Sequence, residues 1–253
     1  MKILTWNVAG LPNKINILGN PIKKAPFMLD KMLEVNPQII CLQEVFCYKL
    51  QNILKYELDN LGYQTHTSLE EGLISKNGLL TATSLNIDNY AEKDYSMYTG
   101  AEYLIKKGIL TTYLRDKEQD KNLIVYNTHL QSNSIYHMYE SCTVVRQKQK
   151  KEVIELLANK QDNLNILCGD LNDDFLTPEH QNFLQELPFE TVVSNPEKII
   201  TFPKYNQQLD YIIFNKNTEV KYKKIDVISQ NISDHQILIA DFTIPENPPV
   251  EFS

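Results

Sequence analysis

Glycine is scarce in this sequence, and a long uninterrupted apolar run is missing. Only 8 of the 253 residues are glycine, and the chain contains no low-complexity tract and no internal repeat. Collagen-like, fibrous and solenoid architectures are therefore excluded. No apolar run approaches the roughly 20 residues of a membrane-spanning helix, and no signal-peptide pattern precedes the first strand-like segment. We expect a cytoplasmic protein without a transmembrane segment, with secretion after removal of a signal peptide as the alternative.

Cysteines and basic residues are also few or dispersed. The four cysteines lack the C-x-x-C spacing of a metal site, and Cys41 and Cys168 lie in apolar segments, where a free thiol behaves as a small hydrophobic side chain. The formal net charge is −7, and no block of Lys and Arg is long enough to predict a nucleic-acid surface. A nucleic-acid substrate is disfavoured but stays open, because a bound metal ion can supply positive charge locally.

What the sequence does contain is an ordinary globular composition, with 42% hydrophobic and 23% charged residues. Apolar periodicity predicts about ten strands with four interspersed helices, and no linker interrupts them. One α/β domain over residues 1–245, with two packed sheets and helices outside, fits this order, followed by a tail at 246–253. The strands are predicted at 2–8, 39–42, 63–69, 78–85, 108–115, 122–130, 164–168, 199–202, 210–215, 220–228 and 236–244. The helices are predicted at 26–35, 48–61, 138–159 and 178–187.

Two segments allow more specific expectations. In the helix at 138–159, the Lys/Gln side is expected to face solvent, and the apolar side is expected to be buried through Val144, Val145, Val153, Ile154, Leu156 and Leu157. Residues 88–106 carry four tyrosines interleaved with acids, which indicates a packed surface loop. A flap that faces the substrate or a membrane is the alternative for this segment.

Polar side chains that can bind a metal or transfer a proton follow or interrupt several of the short apolar segments. They are Asn7, Glu44, Asn127, His129, Asp170, Asn172, Asp210, Asp234 and His235. Each has an ordinary structural interpretation when taken alone. Because strand ends meet at one edge of a sheet, however, we expect these side chains to face one cleft.

Glu44 and Asn7 offer a carboxylate and an amide oxygen, which are the hard ligands that Mg²⁺ prefers. Neither is a soft ligand, so zinc and copper are disfavoured. The glutamate lies between apolar residues in Leu42-Gln43-Glu44-Val45 and needs a partner if it is buried. Asn7 has an equally simple interpretation as a turn residue after a strand. Asp234 is a further candidate ligand, directly or through water.

The other candidates suit proton transfer and phosphoryl binding. Asp170 and Asn172 are two residues apart, so they project to one side of an extended turn. There they either orient a water molecule and bind a phosphoryl oxygen or form an Asx turn. Asp210 is costly to bury unpaired, and pairing with His235 would hold the imidazole tautomer and stabilise the imidazolium. His129, in a β pattern, is interpreted as a core histidine when taken alone.

Six motifs, in this order, resemble the signature of the endonuclease/exonuclease/phosphatase superfamily. They are Trp6-Asn7, Leu42-Gln43-Glu44-Val45, Asn127-Thr128-His129-Leu130, Gly169-Asp170-Leu171-Asn172, Leu209-Asp210-Tyr211-Ile212 and Ser233-Asp234-His235. The match covers nearly the whole chain, and six motifs in order are far more specific than any one of them. The resemblance implies a four-layer αββα sandwich of the DNase I type, with two packed mixed sheets flanked by helices.

The resemblance also implies in-line hydrolysis of a phosphoester without a covalent enzyme intermediate. It implies a Mg²⁺ site, in which Mn²⁺ can substitute, held by Asn7, Glu44 and Asp234. The catalytic residues that it implies are His129, Asp170, Asn172, Asp210 and His235.

Within that implied catalytic set, each residue has a separate role. Asp170 would position or activate the water, and Asn172 would bind a phosphoryl oxygen. His129 would stabilise charge on the pentacovalent transition state. His235, oriented by Asp210, would assist proton transfer.

The sphingomyelinase branch of the superfamily resembles this chain best. Its segments are similar to Asn7-Val8-Ala9-Gly10-Leu11-Pro12, Gly78-Leu79-Leu80, Lys107-Gly108-Ile109 and Asn127-Thr128-His129-Leu130-Gln131-Ser132. This likeness implies hydrolysis of sphingomyelin or a related phospholipid to phosphocholine. We expect a monomer, with peripheral contact with membranes as one possibility, and residues 88–106 are a candidate surface for that contact.

Other functions stay open. A nuclease-type activity is the nearest alternative, as an endonuclease, a deadenylase or a tyrosyl-DNA phosphodiesterase. A phosphatase of small soluble phosphoesters is another. A non-catalytic binding domain is remote, because such a protein is expected to have lost Glu44, His129, Asp170 or His235, and all four are present.

Overall fold

Two mixed β-sheets form the centre of the structure, which is a computed structural model describing residues 1–12, 18–68, 76–117, 121–133, 139–158, 164–188, 198–215 and 221–243. Within these residues lie eleven strands, namely β1 (Lys2–Asn7), β2 (Ile39–Gln43), β3 (Gln64–Thr67), β4 (Leu80–Thr83), β5 (Asn86–Asp94), β6 (Gly108–Asp116), β7 (Lys121–His129), β8 (Leu164–Asp170), β9 (Asp210–Phe214), β10 (Lys221–Ile228) and β11 (Ile237–Thr243). The same residues contain four α-helices, namely α1 (Pro21–Leu33), α2 (Tyr48–Asn60), α3 (Tyr139–Ala158) and α4 (Pro178–Glu186).

The strand order places the chain's first and last strands side by side. One sheet has the order β10-β11-β1-β2-β4-β3, and the other has the order β5-β6-β7-β8-β9. Only the pairs β1–β2 and β7–β8 are parallel among the paired strands of the described residues. Each sheet therefore has one central place where two adjacent strands end at the same edge.

Three apolar layers separate the sheets and helices. One layer lies between the first sheet and helices α1 and α2, and includes Leu4, Trp6 and Leu50. A second layer, which contains Ile3 and Ile166, lies between the two sheets. The third joins the second sheet to α3 and α4. Side chains that alternate along each strand supply both layers beside it, so the expected four-layer αββα sandwich of the DNase I type is confirmed.

Helix α1 begins five residues earlier than predicted. Asn20 caps it, because the side-chain oxygen of Asn20 accepts a hydrogen bond from the backbone N–H of Ile22. Pro21 takes the first helical position, where a missing N–H costs little. Pro26, which marked the predicted start, lies inside the helix. The prediction for α4 was better, since Thr177 caps it as expected.

The expected burial of α3 was right for Val145, Val153 and Leu157 but wrong for Val144 and for part of the Lys/Gln side. Val144 is 56% exposed, whereas Arg146, Gln149 and Lys150 are buried on the side that was expected to face solvent. Each of these three side chains makes hydrogen bonds across the packed surface. Gln149, for example, accepts from the backbone N–H of Gln131 and donates to a backbone carbonyl. Tertiary partners of this kind cannot be seen in a helical hydrophobicity pattern.

The loop prediction for 88–106 was also wrong. Residues Asn86–Asp94 form β5, an edge strand that pairs antiparallel with β6, and Gly100–Leu104 form a short 3₁₀ helix. Because most of β5 is exposed on both faces, it has no period-2 apolar pattern to reveal it. The predicted strand at 199–202 is reduced to a single bridge between Phe202 and Gln207.

Two further expectations concern the C-terminal tail and a membrane-spanning helix. Residues 246–253, the predicted tail, lie outside the described residues, and the domain limits stay a prediction. In the part of the chain that the structure describes, no helix is long and apolar enough to cross a membrane.

Gly169, which precedes Asp170 in β8, provides a test of this packing. Its φ angle is +139°, and a Cβ atom there would lie 1.9 Å from the carbonyl oxygen of Thr128. We expect Gly169→Ala to lower the free energy of unfolding by more than the roughly 1–3 kcal/mol of backbone strain, because β7 and β8 must separate. Denaturant unfolding measures this. Gly62→Ala is the matched control, since Gly62 has φ +87° but open space around it. Equal losses in both variants would contradict the close β7–β8 contact.

Candidate active site

Parallel strand pairs and one antiparallel neighbour bring the candidate residues to one edge of the sandwich. Asn7 ends β1, and Glu44 follows β2 directly. In the other sheet, His129 at the end of β7 is opposite Asp170 at the end of β8, and Asp170 is also opposite Asp210 at the start of β9. Asn172 lies two residues after Asp170, and the loop before β11 supplies Asp234 and His235. All eight predicted site residues therefore meet here: Asn7, Glu44, His129, Asp170, Asn172, Asp210, Asp234 and His235.

Asn7 bridges two carboxylates that come from different sheets. Its Nδ2 donates to Glu44 Oε1 at 3.0 Å and to Asp170 Oδ2 at 2.9 Å. Its Oδ1 accepts from the backbone N–H of Ala9, which fixes the orientation of the amide. The amide nitrogen therefore faces the carboxylates, and the role of Asn7 as an oxygen ligand stays a prediction.

Glu44 is a carboxylate held in an unusual backbone conformation. Its φ angle is +57°, which is uncommon outside glycine and is often found at functional sites. Desolvation raises the pKa of Glu44, an effect that the Asn7 hydrogen bond and the positive charges of Lys107 and His235 oppose. Such a carboxylate gains stability from a cation placed beside it.

Asp170 lies at the centre of the site. Its Oδ2 is 3.4 Å from His129 Nε2 and 3.7 Å from His235 Nε2, and its Oδ1 accepts from the backbone N–H of Asn172. Desolvation raises the pKa of Asp170 to about 7, with the nearby Asp210 acting in the same direction. A carboxyl group with this pKa can accept a proton near neutral pH.

His235 and Asp210 form the expected dyad. His235 Nδ1 lies 2.8 Å from Asp210 Oδ2, and Asp210 is fully buried. Burial alone would lower the pKa of His235, but Asp210, Asp170 and Asp234 together outweigh it and raise the pKa to about 10. The imidazole is therefore charged at neutral pH, with its Nε2 directed towards Asp170.

His129 is held by a lysine to which the sequence analysis gave no role. Lys107 Nζ lies 2.9 Å from His129 Nε2, 2.8 Å from Glu102 Oε1 and 2.7 Å from the carbonyl oxygen of Leu130. Burial, followed by the charges of Lys107 and His235, holds the pKa of His129 well below its ordinary value. His129 is thus a neutral ring whose Nε2 accepts from the ammonium. The Lys107-Gly108-Ile109 motif was the available signal, but its partners lie elsewhere in the chain.

Asn172 and Asn127 have different positions relative to the cleft. Asn172, with φ +50°, lines it and donates from Nδ2 to the carbonyl oxygen of Leu130. Asn127 lies between the sheets, where Nδ2 contacts the carbonyl oxygens of Leu42 and Leu80 and Oδ1 accepts from Gln43. Asn127 is therefore a cross-link between the sheets behind the site.

The cleft in front of these residues has a volume of about 500 Å³. Five of the predicted residues line it, namely Glu44, Asp170, Asn172, Asp234 and His235, and its walls also include Ser132, Asn133, Arg146, Asp173, Asp174, Phe202 and Tyr205. The donor groups that face it are mainly carboxylate oxygens, which fit a hard divalent cation. Donor atoms of Asp170, Asp210 and His235 also lie within 4.8 Å of one another, although the Asp210–His235 hydrogen bond already uses two of these groups.

A model of the Endonuclease/Exonuclease/phosphatase family matches residues 4–235. The chain belongs to the endonuclease/exonuclease/phosphatase family. The resemblance stated from the motifs is thereby confirmed, and the protein is a metal-dependent phosphoric ester hydrolase, as expected. A search of curated protein sequences gives no match.

Solved structures of this family share the fold. Beta toxin from Staphylococcus aureus with bound magnesium ions has a TM-score of 0.74 at 19% identity, covering 94% of this chain and 98% of that one. Sphingomyelinase C from Streptomyces griseocarneus has a TM-score of 0.73 at 16% identity, with 95% and 98% covered. TDP2 from D. rerio, complexed with a single-strand DNA product, has a TM-score of 0.71 at 17% identity, with 96% and 98% covered.

Asp210→Asn tests the dyad. Removing this carboxylate is expected to lower the pKa of His235 from about 10, because the largest effect that raises it is lost. Phosphodiester hydrolysis is expected to fall by about 10²–10⁴-fold, the usual contribution of a positioned acid or base. NMR titration of the imidazole in metal-free protein measures the pKa. Asp226→Asn, on β10 beside Lys224, is the control, and an unchanged His235 pKa in Asp210→Asn would contradict the dyad.

Proposed function

We propose that this protein is a Mg²⁺-dependent phosphodiesterase that hydrolyses sphingomyelin or a related phospholipid and releases phosphocholine. The observation that carries the hydrolytic part is the position of Asp170, whose Oδ2 lies 3.4 Å from His129 Nε2 and 3.7 Å from His235 Nε2. A carboxylate between two imidazole nitrogens can hold a water molecule beside a phosphoryl group while a proton donor faces the leaving oxygen.

Glu44 and Asp234 are the residues that would hold Mg²⁺. Both line the cleft, and the raised pKa of Glu44 reflects a desolvated carboxylate that a cation would stabilise. When bound, the ion neutralises charge on the phosphate and on the leaving oxygen. Asn7 would keep Glu44 and Asp170 at a constant separation, since its Nδ2 donates to both.

The side chains of this protein then account for the proton transfers. Water attacks phosphorus in line with the leaving alkoxide, so that one P–O bond forms as the other breaks. Asp170 takes a proton from the attacking water, consistent with its pKa near 7. His235 gives its Nε2 proton to the leaving oxygen, consistent with its pKa near 10, and Asp210 holds the imidazole throughout. His129, held by Lys107, would place its imidazole beside Asp170, since His129 Nε2 lies 3.4 Å from Asp170 Oδ2.

The assignment to a phospholipid is supported by three observations. The motifs resemble the sphingomyelinase branch, and sphingomyelinase C shares the fold. The cleft is acidic and the whole chain carries −7, which suits a zwitterionic head group better than a polyanion. Phe202 and Tyr205 give the cleft an aromatic wall with ring centroids 5.6 Å apart, and such rings attract quaternary ammonium groups.

A nuclease-type activity is the second candidate. TDP2 shares the fold and was solved with single-strand DNA product. In this chain, Arg146 lines the cleft and could contact a second phosphate of a nucleic acid. The same aromatic wall could stack on a base.

A parallel hydrolysis assay distinguishes these functions. Purified protein with Mg²⁺ is given sphingomyelin in mixed micelles, single-stranded nucleic acid and double-stranded nucleic acid, each with EDTA and His235→Ala controls. We expect phosphocholine release that EDTA and His235→Ala both abolish. Cleavage of nucleic acid with sphingomyelin left intact would contradict the lipid assignment and favour the nuclease. Release that persists in EDTA would contradict the metal requirement.

A further inference from the structure

The loop that carries Asp234 and His235 has no regular secondary structure. It runs from the end of β10 at Ile228 to the start of β11 at Ile237. In a strand or a helix, neighbouring backbone groups would hold such residues in place. In this loop, side chains make most of the hydrogen bonds instead.

Gln230 makes more of these bonds than any other side chain described in the loop. Its Oε1 accepts from the backbone N–H groups of Ile232 and Ser233. Its Nε2 donates to the carbonyl oxygens of Ser233 and His235. Thus both ends of one amide are fully used, with two bonds accepted and two donated.

These bonds enclose Asp234 from both sides. Ser233 precedes it and His235 follows it, and Gln230 contacts the carbonyl of each. The amide therefore sets the direction in which the Asp234 side chain leaves the loop and the angle at which the imidazole approaches Asp210.

Other hydrogen bonds attach the loop between β10 and β11 to the rest of the sandwich. The Gln230 backbone N–H donates to Gln236 Oε1, and Gln236 Nε2 donates back to the Gln230 carbonyl. Ser233 Oγ donates to the carbonyl of Asn7, and Trp6 Nε1 donates to the carbonyl of His235. The loop is thereby joined to β1, whose end carries the amide that bridges Glu44 and Asp170.

We propose that Gln230 is a positioning residue for the hydrolytic site, acting through the backbone of Ser233-Asp234-His235. The proposal rests on the roles proposed above for Asp234 and His235. Gln230 holds one turn of chain so that a carboxylate and an imidazole face the same cleft. It touches neither the substrate nor the reacting atoms.

Two substitutions distinguish the contribution of the accepting Oε1 from that of the donating Nε2. Gln230→Glu keeps oxygens that can accept from Ile232 and Ser233 but loses both donors, and it places a charge beside the Ser233 and His235 carbonyls. Gln230→Met keeps the length of the side chain and loses all four bonds. Asn231→Ala changes the exposed neighbouring residue and serves as the matched control.

The first readout is independent of metal and substrate. In metal-free protein, the Nδ1–H of His235 that is bonded to Asp210 is expected to give a downfield proton resonance, assigned by its loss in His235→Ala. We expect this resonance to shift or broaden in Gln230→Glu and Gln230→Met and to stay in place in Asn231→Ala. A general loss of stability elsewhere in the chain would not move it.

The second readout is kinetic and uses bis(p-nitrophenyl) phosphate, a soluble phosphodiester without a lipid or a base. We expect kcat per folded molecule to fall about 10–100-fold in Gln230→Met, the usual cost of losing an outer partner of a metal site, with KM little changed and a smaller loss in Gln230→Glu. Thermal unfolding gives the folded fraction.

The outcomes separate this proposal from the proposed function. A Gln230→Met protein with the wild-type resonance and wild-type kcat per folded molecule would overturn the positioning role, as would a loss of activity matched entirely by a loss of folded protein. If the wild type hydrolyses this phosphodiester but not sphingomyelin, the lipid assignment fails while the role of Gln230 is still measured. If it hydrolyses neither, the imidazole resonance alone decides.

Discussion

The repulsion among four carboxylates at one edge of the sandwich is the constraint on which the site depends. Glu44, Asp170 and Asp234 line the cleft, and Asp210 lies directly behind His235. Asp170 and Asp210 are almost completely removed from solvent. Two like charges 4 Å apart repel by about 4 kcal/mol at an effective dielectric constant near 20. The nearby positive charges include His235, which pairs with Asp210, Lys107, which pairs with Glu102, and Arg146 in the cleft wall. A site with this excess of negative charge favours a divalent cation.

Rigid attachment between the sheets keeps these groups together. Asn127 and Gln43 form a polar cross-link just behind the cleft, with Gln43 Nε2 donating to Asn127 Oδ1 at 2.8 Å. Trp6, buried against α1 and α2, reaches the loop of the dyad through its indole N–H. If one sheet moved relative to the other, several of these buried hydrogen bonds would break. The folded state would then lose stability, because a buried polar group without a partner is costly. The fixed spacing of the carboxylates follows from this packing.

The sequence was most informative where a polar residue directly follows an apolar strand along the chain. Strand-end residues such as Glu44 and Asp170 follow recognisable apolar runs, and the Asp210–His235 pairing followed from the need to neutralise a buried acid. The sequence was least informative where a partner lies far along the chain. Lys107 is oriented by Glu102 and His129, and the burial of Gln149 in α3 is explained by its bonds to Gln131 and Met97. The edge strand β5 had no apolar alternation to reveal it, because pairing with β6 alone defines it.

Calorimetric titration of Mg²⁺ into metal-free protein at neutral pH, compared with Glu44→Gln, tests the central claim most directly. If the excess of carboxylates exists to hold a cation, the wild type binds Mg²⁺, because a cation beside Glu44 stabilises the charge that desolvation disfavours. Glu44→Gln should then bind at least tenfold more weakly. Binding of equal strength in the two proteins, or no binding by the wild type, would contradict the account.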